Sequence, residues 1–152
     1  MRMFSTAISA GGRVPQQHTC DGAGVSPPLQ WADVPDGVQS FALLCDDPDA
    51  PSGVFTHWVL FNLSSGSREL PEGVPADAVL SIGARQGTNS FGEVGYGAAC
   101  PPPGDREHRY IFTLYALDSD LTLAPGARKD QLLDAMRDHV LAEAQLVGKY
   151  SR

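Results

Sequence analysis

Two stretches of this chain are apolar at every alternate position and also at the positions between, and few folds can shelter such strands. Successive side chains of a β-strand point to opposite faces. In Phe55 to Ser64 (FTHWVLFNLS) that alternation predicts Phe55, Val59, Phe61 and Leu63 on one face, with His57 among them, and Trp58 and Leu60 on the other. In Arg109 to Leu117 (RYIFTLYAL) it sets Tyr110, Phe112, Leu114 and Ala116 opposite Ile111, Thr113, Tyr115 and Leu117, and His108 shares the parity of Tyr110. Strands of this kind need a covering layer on each side. Gln39 to Asp46 (QSFALLCD) is nearly unbroken in its apolar character and reads as a third central strand.

The 16 glycines and 12 prolines lie between short apolar runs, the punctuation of many short strands joined by turns. One helix is expected from near Ala127, where Leu132, Leu133 and Met136 recur at helical spacing among charged residues. His139 to Gly148 fits either a continuation of that helix or a last strand, and the strand is the preferred reading. Ser64 to Ala78 is polar and Pro-rich, as a long surface connection would be. The expected architecture is mainly β: an antiparallel sandwich with one or two peripheral helices, in a single domain over residues 1–152.

Charge and cysteine content narrow the function classes. A formal charge of −7 without any basic run opposes binding to nucleic acid. No stretch approaches the roughly 18 to 20 apolar residues of a membrane helix, and the first ten residues lack a secretory core, so the reading is a soluble, cytoplasmic protein with no integral membrane association. Cys20, Cys45 and Cys100 are odd in number and lack CxxC spacing, which points to three reduced, structural thiols and to no zinc site.

Chemistry is concentrated in three places. Asp46-Asp47-Pro48-Asp49-Ala50-Pro51 directly follows a central strand, and its prolines stiffen it into an extended turn able to hold a carboxylate at the sheet edge. Thr56-His57-Trp58 and Glu107-His108-Arg109-Tyr110 each bring an imidazole to an otherwise apolar strand. Taken singly, each is more readily a solvated acidic turn or a buried structural histidine than a functional group.

Taken together these segments resemble the phosphatidylethanolamine-binding proteins, also called Raf kinase inhibitor-like proteins, and in particular their short bacterial branch. The likeness extends over Thr19-Cys20-Asp21-Gly22, Ser26-Pro27-Pro28-Leu29-Gln30-Trp31, Asp47 to Pro51, Thr56-His57-Trp58, Gly87 to Gly92, Gly95-Tyr96, Cys100-Pro101-Pro102 and His108-Arg109-Tyr110. The resemblance implies a large antiparallel sheet packed on a smaller one, and one small pocket for phosphate, phosphorylated ligands or phospholipid head groups. It assigns that pocket to Asp47, Asp49, Pro51, His57, Pro101, Pro102, His108 and Tyr110, with Phe55 in its apolar wall and the backbone N–H of Cys100 turned toward the anion. It also implies a homodimer; no cofactor is expected, and no metal either, since HxH, HExxH and Cys/His clusters are absent. Only Ser52 to Thr56 separates Pro51 from His57, shorter than in the animal proteins, so kinase inhibition and lipid specificity do not carry over.

Two other readings remain. A hydrolase using Asp47 or Asp49 with the histidines, with or without a metal, has its ingredients, although HExxH, GxSxG and phosphate-loop motifs are all absent. An inhibitor of a kinase or protease acting through its surface is the third, with no residue here to name its target. The glycines of Gly83 to Gly97 are read as a mobile loop beside the pocket rather than as a nucleotide cradle.

Overall fold

The computed structural model describes residues 1–152. The strands are β1 (Arg2–Phe4), β2 (Leu29–Ala32), β3 (Ser40–Asp47), β4 (Phe55–Ser64), β5 (Glu69–Leu70), β6 (Arg85–Gln86), β7 (His108–Leu117) and β8 (Val140–Tyr150); one helix, α1 (Lys129–Met136), precedes β8. They form a five-stranded sheet in the order β6-β4-β3-β7-β8 and a three-stranded sheet in the order β1-β2-β5. All pairings within both sheets are antiparallel. No helix is long and apolar enough to cross a membrane.

The three strands with apolar residues at both parities, β4, β3 and β7, are the interior of the large sheet, and each face has its own cover. Phe41, Leu43, Trp58, Leu60, Phe112 and Leu114 meet Met3, Leu29, Trp31 and Leu70 of the small sheet. On the other face Ala42, Leu44, Val59, Phe61 and Leu117 meet Leu121, Ala127, Leu132 and Met136 from α1 and the segment before it. Burying one such side chain contributes about 1.5 to 3 kcal/mol, which is why this pattern dictates three layers.

β7 alternates as the sequence predicts. β4 does not, and the reason is two bulges. The register passes from Cys45↔Trp58 to Asp46↔Thr56, leaving His57 as an extra residue, and from Phe41↔Leu63 to Leu43↔Leu60, where Asn62 adopts a left-handed φ of 54°. Each extra residue flips the parity of the strand beyond it. The small-sheet face therefore carries Phe55 and His57, then Trp58 and Leu60, then Leu63, and the expectation that His57 shares a face with Val59 and Phe61 is corrected. The second bulge is fixed by Asn62, which donates from Nδ2 to the Leu121 carbonyl (2.9 Å) and accepts the Leu121 N–H at Oδ1 (2.8 Å).

Residues 140–150 are a strand, with Ala144, Leu146 and Tyr150 turned to the core. Ser64 to Ala78 is more than a surface connection, because Glu69 and Leu70 form the third strand of the small sheet and Leu70 is fully buried. Gly83 to Gly97 is tied down: Ser90 N–H donates to Thr56 O (2.8 Å), Thr88 N–H to Ala127 O (2.9 Å) and Gly97 N–H to His57 O (2.7 Å).

The cysteines require a larger correction. Cys20 and Cys100 are joined in a disulfide, and only Cys45, buried in β3, is a free thiol. The pairing follows from a parallel bridge between Thr19 and Ala99, in which Cys20 N–H donates to Ala99 O (3.0 Å) and the two Cα atoms come within 5.3 Å. Disulfides persist in oxidising compartments and inside hyperthermophiles, so the cysteines lend no support to a reducing cytoplasm.

Candidate functional site

Nine of the ten residues singled out in the sequence line one cavity of about 260 Å³ at the end of the large sheet: Asp47, Pro51, Phe55, His57, Cys100, Pro101, Pro102, His108 and Tyr110. The tenth does not. Asp49 turns away and accepts three hydrogen bonds of 2.9 Å from Arg109, through its backbone N–H, Nε and Nη2. This bidentate pairing, with Arg106 nearby, holds the Asp49 carboxyl down at about 2. Its role is to clamp the acidic loop to the start of β7, and in doing so it takes up both neighbouring arginines.

Asp47 ends β3 and is buried, where a lone carboxylate would be costly. Its two oxygens are satisfied separately. Oδ1 accepts the Asp49 N–H (2.8 Å), shaping the turn, and Oδ2 accepts from His108 Nδ1 (2.6 Å). His108 Nε2 in turn meets Asp105 Oδ2 at 2.8 Å. Burial works against charge on this ring, but the Asp105 and Asp47 contacts outweigh it and raise the His108 pKa above its ordinary value.

His57 is in the opposite condition. Burial is the largest influence on it and lowers its pKa, despite the favourable Gly97 carbonyl and the Asp47 and Asp46 charges. Nδ1 lies 2.7 Å from Gly97 O, and because a carbonyl only accepts, Nδ1 carries the proton and Nε2 the lone pair. The bulge delivers this ring to the cavity, and Gly97 is required beside it: a Cβ there would stand 2.5 Å from the Phe91 ring.

An aromatic wall encloses the imidazole. Phe91 packs edge-on against Phe55 (4.7 Å between centroids) and His57 (5.6 Å), and Tyr110 meets His57 at 5.3 Å. Phe91, Ala50 and Ser52 also line the cavity and were missed among the sequence candidates. Phe91 was visible only as part of the glycine-rich segment, and nothing in the local pattern distinguishes it from a surface aromatic. Across the cavity, Cys100, Pro101 and Pro102 form a wall anchored to Cys20 by the disulfide.

The groups left for a ligand can be enumerated. Gln30 Oε1 is the sole buried side-chain polar atom without a partner, so His57 Nε2 and the Tyr110 hydroxyl, which bond to no protein group, open onto the cavity. The backbone N–H of Cys100 donates to no protein carbonyl. Burial together with the Asp47 charge raises the Tyr110 pKa, keeping the phenol protonated as a donor.

The family model described as phosphatidylethanolamine-binding protein matches residues 4–151. The chain belongs to this family. It is 51% identical to a "UPF0098 protein" of Methanothermobacter thermautotrophicus, over 100% of this chain and 99% of that one. Its fold is similar to the crystal structure of a phosphatidylethanolamine-binding protein homologue from Chlamydia trachomatis, with TM-score 0.90 and 41% identity over 99% and 97% of the two chains. It is likewise similar to Escherichia coli YbcL, described as a member of the mammalian phosphatidylethanolamine-binding protein family, with TM-score 0.92 and 31% identity over 99% and 98%. Within this family fold, then, the cavity lies where β3, β4 and β7 end together, and its polar groups come from three segments far apart in the chain.

Proposed function

We propose that this family member is a binding protein whose cavity takes the anionic end of a phosphorylated small molecule or phospholipid head group. One observation carries the reading. His57 Nε2, the Tyr110 hydroxyl and the Cys100 N–H, three polar groups without protein partners, belong to one cavity, while its carboxylate Asp47 is already engaged by His108. Two donors and an imidazole that becomes a third on protonation, set around a small concave space, suit a compact anion, and the prolines give that space shape without offering a further N–H. Phe55 and Phe91 supply an apolar flank for whatever the anion is attached to.

His57 sets the terms of binding. In its neutral form Nε2 accepts rather than donates, so it meets either a ligand that brings its own hydroxyl proton or a fully ionised one that draws a proton onto the ring. Hydrolysis is the competing reading, and the free His57 Nε2 is the group that would serve it as general base. Ser52 is the aliphatic hydroxyl lining the cavity, yet the hydrogen bond His57 makes is to Gly97, and no trio of His, Cys, Asp and Glu side chains is arranged to hold a metal.

Titration of phosphate and phosphoethanolamine, followed by amide NMR, tests the binding reading. Saturable shifts are expected at Cys100, His57 and Tyr110, with affinity in acid reduced at least about tenfold in His57→Ala, the loss of one charged hydrogen bond once the ring is protonated. Binding unchanged in His57→Ala and Tyr110→Phe would remove the site from this cavity, and steady turnover of a phosphate ester would transfer it to the hydrolase class.

A further inference from the structure

His108 lines the cavity, yet neither of its nitrogens is available to a ligand. Nδ1 is bound to Asp47 (2.6 Å) and Nε2 to Asp105 (2.8 Å). Both contacts are with carboxylates, so each nitrogen carries a proton and the ring is charged. The two partners are held very differently. The Asp47 side chain is 4% exposed and also receives the Asp49 N–H, so it cannot leave without unmaking the acidic turn.

Asp105 is built otherwise. Its side chain is 35% exposed, and its second oxygen accepts only the N–H of the adjacent Arg106 (2.9 Å). The turn that carries it is closed by backbone groups alone, Asp105 N–H to Pro102 O (3.1 Å) and Gly104 N–H to Arg152 O (3.0 Å). Rotation about the Asp105 Cα–Cβ bond releases the carboxylate into solvent while both of those bonds remain. Charge balances across the exchange: without Asp105, His108 and Asp47 form a neutral pair, and an incoming anion restores the negative charge that the carboxylate took away.

We propose that Asp105 is a tethered competitor for the site: its carboxylate holds the Nε2 position of His108 that a ligand's anionic group takes, and the ligand binds by displacing it. This rests on the anion reading of the cavity. Because the chain presents the carboxylate at an effective concentration of the order of millimolar or above, displacement raises the dissociation constant of every anion by a common factor. A bare ion held by charge alone is thereby bound more weakly. A ligand that also contacts Tyr110 and the Phe55 and Phe91 wall has the additional interactions needed to dislodge Asp105. The acidic residue thus sets an affinity threshold, where composition alone would class it as one more solvated carboxylate.

The experiment is calorimetric titration of inorganic phosphate into the wild-type protein, Asp105→Asn, Asp105→Ala and Glu107→Gln. Glu107 is exposed and two residues away, so its variant removes the same charge without touching His108. Both Asp105 variants are expected to bind about tenfold more tightly than wild type, the strength of one charge-assisted hydrogen bond, and Glu107→Gln to stay within about twofold at near-physiological salt. In the wild type the Asp105 carboxyl carbon resonance should move with the same midpoint as the heat. Equal affinity in wild type and both Asp105 variants overturns the competition and leaves the anion site standing. An equal gain in Glu107→Gln reduces it to surface charge and overturns it too. Absence of saturable phosphate binding in all four proteins overturns both the competition and the anion reading beneath it.

Discussion

Anion binding should carry a proton onto His57. The Gly97 carbonyl fixes the ring proton on Nδ1, and burial holds the pKa below 6.5, so at about pH 7.5 the free site presents a lone pair to its ligand. Sulfate is the cleanest probe, because it remains a dianion throughout this range and brings no proton of its own. To accept it, His57 must be protonated. At about pH 7.5 that costs at least about 1.4 kcal/mol, one pH unit or more above its pKa, whereas the charged hydrogen bond returns about 1.5 to 3 kcal/mol. The surplus is small and grows with acid. Affinity should rise up to tenfold for each pH unit of acidification, levelling off once the pH falls below the free-state pKa of His57.

Calorimetric titrations at about pH 5.5, 6.5 and 7.5, each in two buffers of different ionisation enthalpy, count the protons directly. The expected uptake is close to one per sulfate at the alkaline end and falls toward zero at the acidic end. His108 should contribute less to this signal, because against its burial the contacts with Asp105 and Asp47 raise its pKa above the ordinary value. His57→Gln should abolish the uptake and flatten the pH dependence. Sulfate affinity that is flat with pH in the parent protein, or proton uptake that survives in His57→Gln, would refute the assignment of the tautomer and with it the account of the site.

Other consequences are open to simpler measurements. The folded-state pKa of His108 is raised, so its contribution to stability is complete below the unfolded value of 6.5 and is lost as pH rises through the folded value; thermal unfolding should show that alkaline loss in the wild type and a weaker one in Asp105→Asn. Thiol titration in denaturant should find one reactive group, Cys45, and three after reduction. Opening the link across 80 residues should cost up to about 4.5 kcal/mol on the chain-entropy account, and equal denaturation midpoints with and without reductant would contradict it. Gly97→Ala should displace Phe91, whose ring lies where the new methyl would go, and weaken anion binding more than it lowers the melting temperature; unchanged affinity would show that the aromatic wall is dispensable.

The parts of this molecule that sequence reasoning recovers are those where a period continues unbroken. In β7 the alternation from His108 to Leu117 is regular, and the faces can be assigned from it residue by residue. In β4 the same rule fails twice, at His57 and at Asn62, because a bulge shifts the count by one and leaves no mark in the apolar pattern. An asparagine inside a strand is the faint signal for the second, since Asn tolerates left-handed backbone. The first has no such signal, and it is the one that matters for function. Without the extra residue, the parity of Val59 and Phe61 would place His57 on the α1 face; with it, the ring stands beside Tyr110 and Phe91. The cysteine pair and Asp105 escape for a related reason. Cys20 meets Cys100 only because the backbones at Thr19 and Ala99 run side by side, and Asp105 reaches His108 only because the Pro102 to Asp105 turn folds it back toward the strand. Irregular backbone thus shapes the places where this cavity is made: a bulge supplies His57, a disulfide holds the proline wall, and a tight turn presents the carboxylate that guards His108. The family likeness can be read from motifs because it resides in residue types, whereas the state of the site, with the pKa of one imidazole lowered and that of the other raised, depends on burial and on carbonyl and carboxylate partners that only the folded backbone selects.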